Sequence, residues 1–348
     1  MFKSLFLNKI DAYVINCPVN RFYVTRLNTS YGYVVLTEST NFFYTDSRYV
    51  QAAKNALADF KVVEVTRANA LSSIAADLEA ANLKTIGFED EFLTVSAHKE
   101  FKESLKGFTL KAASNVLENL RLVKTVEEIN HIKAAQAITE KVFDKVIDGL
   151  KPGVTEKELA IQLKIESLKQ GAEDMAFAPI VAFGENSANP HHQPTDRRLE
   201  KEDLLLIDFG VKFNGYHSDM TRTFRLNEVE DKFKQLYDIV LRAQLYALKH
   251  LKAGMTCREA DSLAREFIIS NGYDTEFSHS LGHGVGLCIH EKPSINKHSD
   301  ELLLPGMVVS VEPGIYLHGE GGIRIEDMVV IREDGVENLT LTPKEFLV

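Results

Sequence analysis

Long apolar segments, abundant cysteine and an excess of basic residues are all missing from this sequence of 348 residues. No apolar run approaches the roughly 18 residues that a membrane-spanning helix needs. Lys3, Asn8 and Lys9 interrupt the N-terminus, so we expect neither a membrane span nor a signal peptide. The 3 cysteines predict reduced thiols in a cytoplasmic protein rather than a disulfide framework. With 50 acidic and 40 basic residues the net charge is -10, which excludes a basic face for nucleic acid.

The length exceeds what one hydrophobic core usually serves, since single cores stop growing near about 250–300 residues. In the first third of the chain, short apolar runs alternate with helix-like stretches. The strands predicted there are 12–15, 31–36 and 42–44, and the helices are 49–57 and 68–83. A long amphipathic helix then begins where Thr125 and Glu128 form a capping-box signature. The sequence therefore predicts an α/β domain at 1–119 and a second domain at 120–348.

One short sequence motif occurs twice in the second domain. Gly-Val-Thr-x-x-Glu at 153–158 and Gly-Met-Thr-x-x-Glu at 254–259 are both capping-box signatures, and each follows a long amphipathic helix. In each half, a stretch with Gly and His and then an apolar strand with an acidic end come next, at 204–208 and at 307–312. We interpret the domain as two related α/β halves that face each other.

Carboxylates occur where strands should bury apolar side chains. Asp208 ends the first of these strands and Glu312 ends the second. Each is followed along the chain by another acid, Asp219 or Glu326, and His283 lies among glycines in Gly-His-Gly-Val-Gly. Four carboxylates can converge only if cations lie among them. Oxygen-rich ligands of this kind suit Mn, Co, Fe or Zn in a two-metal hydrolytic site.

Any one of these residues alone is more often structural, because a strand-end acid usually forms a turn or a cap. The joint pattern favours a shared site. Matching polar residues recur in the two halves at separations of roughly a hundred residues. The matched pairs are Asp208 with Glu312, Asp219 with Glu326, and His191 with His290.

These residues and their phrases resemble the metallopeptidase family of prolidase and aminopeptidase P. Five motifs in order carry the resemblance: IDFG at 207–210, SDMTR at 218–222, GHGVG at 282–286, VEPGIY at 311–316 and GIRIED at 322–327. Residues 20–53, with TDSRY at 45–49, resemble the family's N-terminal domain. The resemblance implies a mixed α/β (α+β) fold, in which a creatinase-like α/β domain precedes a pseudo-twofold pita-bread catalytic domain.

The resemblance also implies a dinuclear site with two divalent metal ions per subunit. Asp219 and Glu326 would bridge the ions. Asp208 would complete the shell of one ion, and His283 and Glu312 would bind the other. Manganese is the first expectation, with cobalt, zinc or iron as alternatives, because the same ligands hold all four.

Further polar residues receive roles from the same resemblance. Glu312 would take a proton from water and pass it to the leaving nitrogen. His191 and His290 match histidines that hydrogen-bond the substrate and the oxyanion, and the Pro-His phrase favours His191 over its neighbour His192. Two further substrate-binding candidates are His279 and Arg324.

The family's substrate bond is Xaa-Pro, a tertiary amide, and the proline ring fixes φ. Phe177 is a candidate for lining the pocket that receives this ring, or for plain core packing. Several prolidases carry an arginine four residues after the match to His290, suited to a dipeptide's free carboxylate, whereas this chain has Ser294. We therefore expect an Xaa-Pro aminopeptidase, with Xaa-Pro dipeptidase as the alternative.

Three other interpretations fit less well. Methionine aminopeptidase shares the five ligands but not the N-terminal domain, and creatinase shares both domains but lacks the ligands. A non-catalytic peptide-binding relative is the remote alternative, since such relatives lose ligands and all five are present here. The family implies a cytoplasmic homodimer that acts on proline-containing peptides, without nucleic-acid or membrane partners.

Overall fold

The computed structural model describes Phe6, residues 9–227 and residues 232–347. The chain divides into two compact units, Met1–Leu120 and Arg121–Val348. In the described part of the chain, no helix has both the length and the apolar character that crossing a membrane requires.

The first unit is an α/β domain whose described strands form one six-stranded sheet. Its strands are β1 (Ala12–Ile15), β2 (Tyr33–Thr37), β3 (Asn41–Thr45), β4 (Phe60–Glu64), β5 (Thr85–Phe88) and β6 (Thr109–Ala112). Its helices are α1 (Pro18–Thr25), α2 (Val50–Ala56), α3 (Ala70–Ala80) and α4 (Val95–Ser104), and α5 (Val116–Leu122) follows them. The strand order is β4-β3-β2-β1-β5-β6. The three predicted strands are thus confirmed as the neighbours β1, β2 and β3.

Apolar side chains from the sheet and the helices make the core of this unit. Val35 of β2 and Tyr44 of β3 belong to one buried cluster with Ile74 and Leu78 of α3. The two α3 residues are four positions apart and lie on one helix face. This face explains why the segment around α3 has the sequence pattern of an amphipathic helix.

The second unit repeats one order of elements, a long helix, a capped helix and then strands. Its first half contains α6 (Val126–Ile147), α7 (Glu156–Lys169), β7 (Asp174–Met175), β8 (Ile180–Phe183), β9 (Leu205–Phe209), β10 (Val211–Phe213), β11 (Tyr216–His217) and β12 (Met220–Phe224). Its second half contains α8 (Lys232–His250), α9 (Cys257–Ser270), β13 (Gly282–Gly284), β14 (Glu291–Ile295), β15 (Val308–Val311), β16 (Gly314–Leu317), β17 (Gly321–Arg324), β18 (Asp327–Arg332) and β19 (Gly335–Asn338).

The strands of the two halves form separate small sheets. In the first half the orders are β12-β9-β8 and β11-β10-β7. In the second half the orders are β14-β13-β15-β18-β19 and β16-β17. Several backbone hydrogen bonds join the halves, and one of them runs from Glu326 N to Thr221 O at 3.1 Å. Because Thr221 lies in β12 and Glu326 just precedes β18, this bond lies where the predicted acids should meet.

Capping boxes start the helices that the sequence predicted. Thr125 before α6, Thr155 before α7 and Thr256 before α9 each accept a hydrogen bond from the backbone three residues later. In each case the glutamate at that third position reaches back to the threonine N–H. Each box satisfies two backbone donors that a helix start leaves unpaired, so all three predicted capping boxes are confirmed.

Candidate functional site

All nine residues that the sequence predicted for the site line one cavity of about 450 Å³: His191, Asp208, Asp219, His279, His283, His290, Glu312, Arg324 and Glu326. They come from both halves of the second unit, mostly from strands or from the residues beside them. The structure therefore brings together side chains that are more than about a hundred residues apart in the sequence.

Antiparallel pairing places the acids of the first half. Asp208 lies in β9 opposite Thr221 of β12, and Asp219 immediately precedes β12. The chain between them turns tightly, and a Cβ on Gly210 would lie 1.8 Å from Ser218 O. Only glycine permits that approach, which lets the two aspartates reach the same cavity.

The second half supplies the imidazole and two more carboxylates. His283 lies in β13, Glu312 directly follows β15, and Glu326 lies between β17 and β18. His283 Nε2 is 3.6 Å from Asp219 Oδ2 and 3.3 Å from Glu312 Oε1. Asp219, His283 and Glu326 each offer one ligand atom, and these atoms all lie within 4.8 Å of one another.

The carboxylates of this cluster are buried and repel one another. Burial raises the pKa of Asp219 well above its ordinary value, and the charges of Glu326 and Asp208 raise it further. Burial and neighbouring carboxylates likewise raise the pKa of Glu326, and burial raises that of Glu312 to about 7. Such a group needs cations to remain ionised at neutral pH.

The unpaired atoms of the cluster fit metal ions. Oδ1 of Asp208 and Oδ1 of Asp219 are buried and have no hydrogen-bond partner among the residues that the structure describes. Burial lowers the pKa of His283, which keeps the imidazole neutral, as a metal ligand must be. Oxygen ligands with one neutral imidazole form a donor set suited to divalent transition metals.

Hydroxyl groups orient two of the carboxylates. Thr221 Oγ1 donates to Glu326 Oε2 at 2.7 Å. Ser310 Oγ donates to Glu312 Oε1 at 3.0 Å and accepts from His283 N, also at 3.0 Å. Such contacts behind metal-ligand side chains restrict their orientation. Sequence reasoning had assigned neither hydroxyl a role, although both residues occur in or beside the quoted motifs.

Arg324 and Tyr316 form a buried chain of contacts behind Asp208. Arg324 Nη2 donates to Asp208 Oδ2 at 2.6 Å, and its Nη1 donates to Tyr316 Oη at 2.8 Å. His279 Nδ1 lies 2.8 Å from Ser280 O; because a carbonyl only accepts, Nδ1 carries the hydrogen. Nε2 of His279 therefore accepts from Tyr316 Oη at 2.9 Å.

The pKa shifts of Tyr316 and His279 agree with this assignment of hydrogens. Burial raises the pKa of Tyr316 to about 12, so the phenol keeps its proton. Burial, with Arg324 nearby, lowers the pKa of His279 to about 3, so the imidazole stays neutral. Sequence reasoning missed Tyr316, which lies in the quoted VEPGIY motif four residues after Glu312.

Histidines and apolar residues form the rest of the cavity wall. The rings of His283 and His290 are 4.4 Å apart and nearly edge to face. His191 is exposed, and Phe177 is half-buried and also lines the cavity. His192, the neighbour of His191, also lines the cavity, but its Nε2 lies 2.8 Å from the buried carboxylate of Glu156.

Comparison with known proteins defines the class of this chain. The model of metallopeptidase family M24 matches residues 130–333, and the creatinase/prolidase N-terminal domain matches residues 4–123. An Xaa-Pro dipeptidase from Pyrococcus furiosus is 38% identical, over 98% of this chain and 96% of the relative. The chain thus belongs to metallopeptidase family M24 and carries a creatinase-type N-terminal domain.

Solved structures give the same result. The structure of an Xaa-Pro dipeptidase from Bacillus anthracis has a TM-score of 0.96 and 38% identity, covering 99% of this chain and 97% of that one. That of an X-Pro aminopeptidase from Thermotoga maritima MSB8 has a TM-score of 0.93 and 38% identity, covering 98% of both chains. The expected family, the mixed α/β fold with a pita-bread catalytic domain and the metallopeptidase activity are thereby confirmed.

Proposed function

We propose that this metallopeptidase is a proline-specific exopeptidase that removes the first residue from peptides beginning Xaa-Pro. The observation that carries the proposal is the single cavity in which five metal-ligand side chains and the polar residues His191, His279, His290 and Arg324 meet. The relatives support cleavage of the Xaa-Pro bond. They do not distinguish a preference for dipeptides from a preference for longer peptides. A dipeptidase and an aminopeptidase of known structure are equally similar to this chain, at 38% identity.

We assign two divalent metal ions to the cluster, with manganese as the first expectation. The residues that would hold them are Asp208, Asp219, His283, Glu312 and Glu326. When bound, such ions polarise the scissile carbonyl and lower the pKa of water.

The chain's own groups then handle the protons and the substrate. The carboxylate of Glu312 accepts a proton from the attacking water and returns it to the leaving proline nitrogen. His290, whose pKa burial lowers, and His191 donate N–H groups to substrate oxygens, including the one that becomes negative in the transition state. Arg324 and Tyr316 hold Asp208 and His279 in place through the contacts above.

The charge of the cavity wall favours the aminopeptidase over the dipeptidase. Among the described residues that line the cavity, Arg324 is the only arginine or lysine. Its guanidinium is occupied by Asp208 and Tyr316. A dipeptide would bring the free carboxylate of its proline to this wall without an unoccupied arginine or lysine to receive it, whereas a longer peptide has a neutral amide there.

The test compares Xaa-Pro, Xaa-Pro-Yaa and Xaa-Ala-Yaa peptides with protein that has been stripped of metal and reloaded with Mn, Co, Zn or Fe. We expect the tripeptide Xaa-Pro-Yaa to be cleaved fastest, and Xaa-Ala-Yaa slowly. Faster cleavage of Xaa-Pro dipeptides would establish the dipeptidase instead. Binding of these peptides without cleavage under any metal would favour the non-catalytic alternative.

We further propose that the enzyme is a cytoplasmic homodimer without nucleic-acid or membrane partners. The family resemblance supports the dimer, and Cys17, Cys257 and Cys288, which form no disulfide among the described residues, fit a reducing compartment. Analytical ultracentrifugation of the metal-loaded protein tests the dimer, and a monomer at micromolar concentration would contradict it.

A further inference from the structure

A fully buried carboxylate outside the metal centre anchors the loop that carries His191. Glu156 is the first residue of α7, and its side chain is 0% exposed. Five hydrogen-bond donors surround it, all from residues 183–195, which we call the His191 loop. On Oε1 they are Phe183 N at 2.8 Å and Asn186 Nδ2 at 2.9 Å; on Oε2 they are His192 Nε2 at 2.8 Å, Thr195 N at 2.8 Å and Thr195 Oγ1 at 2.7 Å.

We propose that Glu156 is a positioning residue for substrate binding, which fixes the His191 loop so that His191 meets the peptide. The inference rests on the proposed function, because it takes His191 to be a substrate-binding group. Nothing in the sequence motifs pointed to Glu156, since its partners lie up to about forty residues further along the chain.

The five hydrogen bonds donated to Glu156 explain why its side chain can carry a negative charge at this buried position. Burial alone raises the pKa of Glu156, but hydrogen bonds from Thr195, Asn186 and His192 outweigh it and lower the pKa below its ordinary value. The side chain is therefore an anion that can only accept hydrogen bonds. His192 must then present an N–H at Nε2, which ties the residue next to His191 to the anchor.

The anchor holds the loop on both sides of His191. Phe183 and Asn186 precede it, and His192 and Thr195 follow it. The same loop also lines the cavity, where Pro190, His191, His192, Gln193 and Pro194 form part of the wall. Pro190 O also accepts from Arg324 Nη1 at 3.4 Å. If the His191 loop shifted relative to Glu156, this part of the cavity wall would therefore move relative to Arg324 and the metal centre.

A role in starting helix α7 does not account for Glu156. The capping box of Thr155 and Glu158 already starts that helix. The second half provides an internal comparison, because α9 begins with the same box at Thr256 and Glu259 but has Cys257 at the position of Glu156. A helix start of this design therefore needs no carboxylate at its first position, and the carboxylate serves the loop.

The first experiment compares Glu156→Gln with the matched control Glu158→Gln, both as metal-loaded enzymes. Glutamine keeps the size of the side chain but removes the charge and turns one acceptor into a donor that meets other donors. The control removes a carboxylate from the same helical turn, where the Glu158 side chain hydrogen-bonds, among the described residues, only to Thr155 within the capping box. Hydrogen–deuterium exchange of residues 183–195, metal content, kcat and KM for an Xaa-Pro-Yaa peptide are measured for both.

For Glu156→Gln we expect faster amide exchange across the His191 loop and unchanged metal content. KM should rise by about tenfold or more while kcat changes less, since hydrogen bonds to a charged group are the strong ones. Glu158→Gln should leave both the loop exchange and KM close to those of the wild type. The proposal is overturned if Glu156→Gln leaves exchange or KM unchanged, or if Glu158→Gln reproduces both effects.

A second pair of variants keeps the test valid if Glu156→Gln fails to fold. His192→Gln retains a donor near the position of Nε2, whereas His192→Phe removes it. We expect His192→Phe to loosen the loop and raise KM, and His192→Gln to restore most of both. Equal damage in the two variants would mean that His192 acts on the substrate itself, which overturns the anchoring role. Wild-type enzyme that cleaves no Xaa-Pro peptide would instead refute the proposed function.

Discussion

The hydroxyl of Tyr316 accepts a hydrogen bond from Arg324 Nη1 at 2.8 Å, deep behind the candidate metal centre. The same hydroxyl donates to His279 at 2.9 Å. One phenol thus connects the guanidinium that holds Asp208 with an imidazole of the cavity wall, and no other atom of the tyrosine can make these bonds.

Tyr316→Phe should therefore weaken both stability and activity. It leaves a buried Arg324 donor and a buried His279 acceptor without their partner, which costs about 1–3 kcal/mol. We expect kcat to fall roughly tenfold because Arg324 and His279 lose their fixed positions. Urea unfolding and steady-state kinetics measure the two effects.

Tyr237→Phe is the matched control for that variant. Tyr237 is also buried, but its hydroxyl has no hydrogen-bond partner within the described part of the chain. Loss of this hydroxyl should leave kcat unchanged and leave stability equal or slightly higher. If Tyr316→Phe behaved like this control, the contact chain would have no part in holding the site.

Asp219→Asn should abolish hydrolysis and remove the stabilisation by metal. In the wild type, metal at about 100 times its Kd should add about 2.7 kcal/mol to the free energy of unfolding. In chelator, the variant should be at least as stable as the wild type, because one of several mutually repelling buried carboxylates is gone. Thermal unfolding with manganese and with chelator, together with metal analysis, tests both statements.

Asp174→Asn serves as the control for this charge change, since the Asp174 side chain is 65% exposed on β7. It should match the wild type with and without metal. Normal hydrolysis by Asp219→Asn, or full stabilisation of that variant by manganese, would contradict the two-metal assignment.

Metal-free protein should lose stability as the pH rises from weakly acidic to neutral. The pKa of Glu312 rises from 4.5 in an unfolded chain to about 7 in the fold, and the pKa values of Asp219 and Glu326 are also raised. Between about pH 4.5 and 7 the folded state therefore binds more protons than the unfolded state, so the free energy of unfolding falls as pH increases. Urea midpoints in chelator measure the trend.

Two comparisons sharpen this pH experiment. Glu312→Gln should flatten the decline, because the substituted side chain does not titrate. Bound metal should replace the protons and remove the decline, and metal affinity should rise with pH. A urea midpoint of the metal-free wild type that increases over this range would show that the carboxylates are ionised in the fold without metal.

Ser294→Arg should shift the enzyme towards dipeptides. Ser294 is exposed on β14 and pairs in register with His283 of β13, and cross-strand partners project from the same face of a sheet. An arginine there would present its guanidinium beside the site and receive the free carboxylate of Xaa-Pro. We expect the ratio of kcat/KM for Xaa-Pro over Xaa-Pro-Yaa to increase about tenfold.

Ser294→Gln tests whether the charge is responsible, because it adds length without a cation. Its ratio should stay near that of the wild type. Should Ser294→Gln and Ser294→Arg change the ratio equally, the size of the side chain and not carboxylate binding would control peptide length.

Much of the fold was predictable because its signals are local. The capping boxes at Thr125, Thr155 and Thr256 each depend on two residues three positions apart, and all three are present in the structure. The strand β1 was predicted with its exact limits from four consecutive apolar residues, Ala12–Ile15. Only the ends of elements shifted, as for β2, where the apolar pattern from residue 31 begins before the strand does at Tyr33.

The sequence by itself determined which side chains are available to the site, since the acids, histidines and glycines occur in short motifs with fixed spacing. Only the tertiary structure decided which of them touch. Arg324 pairs with Asp208 across the two halves, and Glu156 meets donors from a loop far along the chain. Contacts of this kind depend on how sheets and loops pack around buried charge, because a buried carboxylate must find its partners wherever the fold brings them.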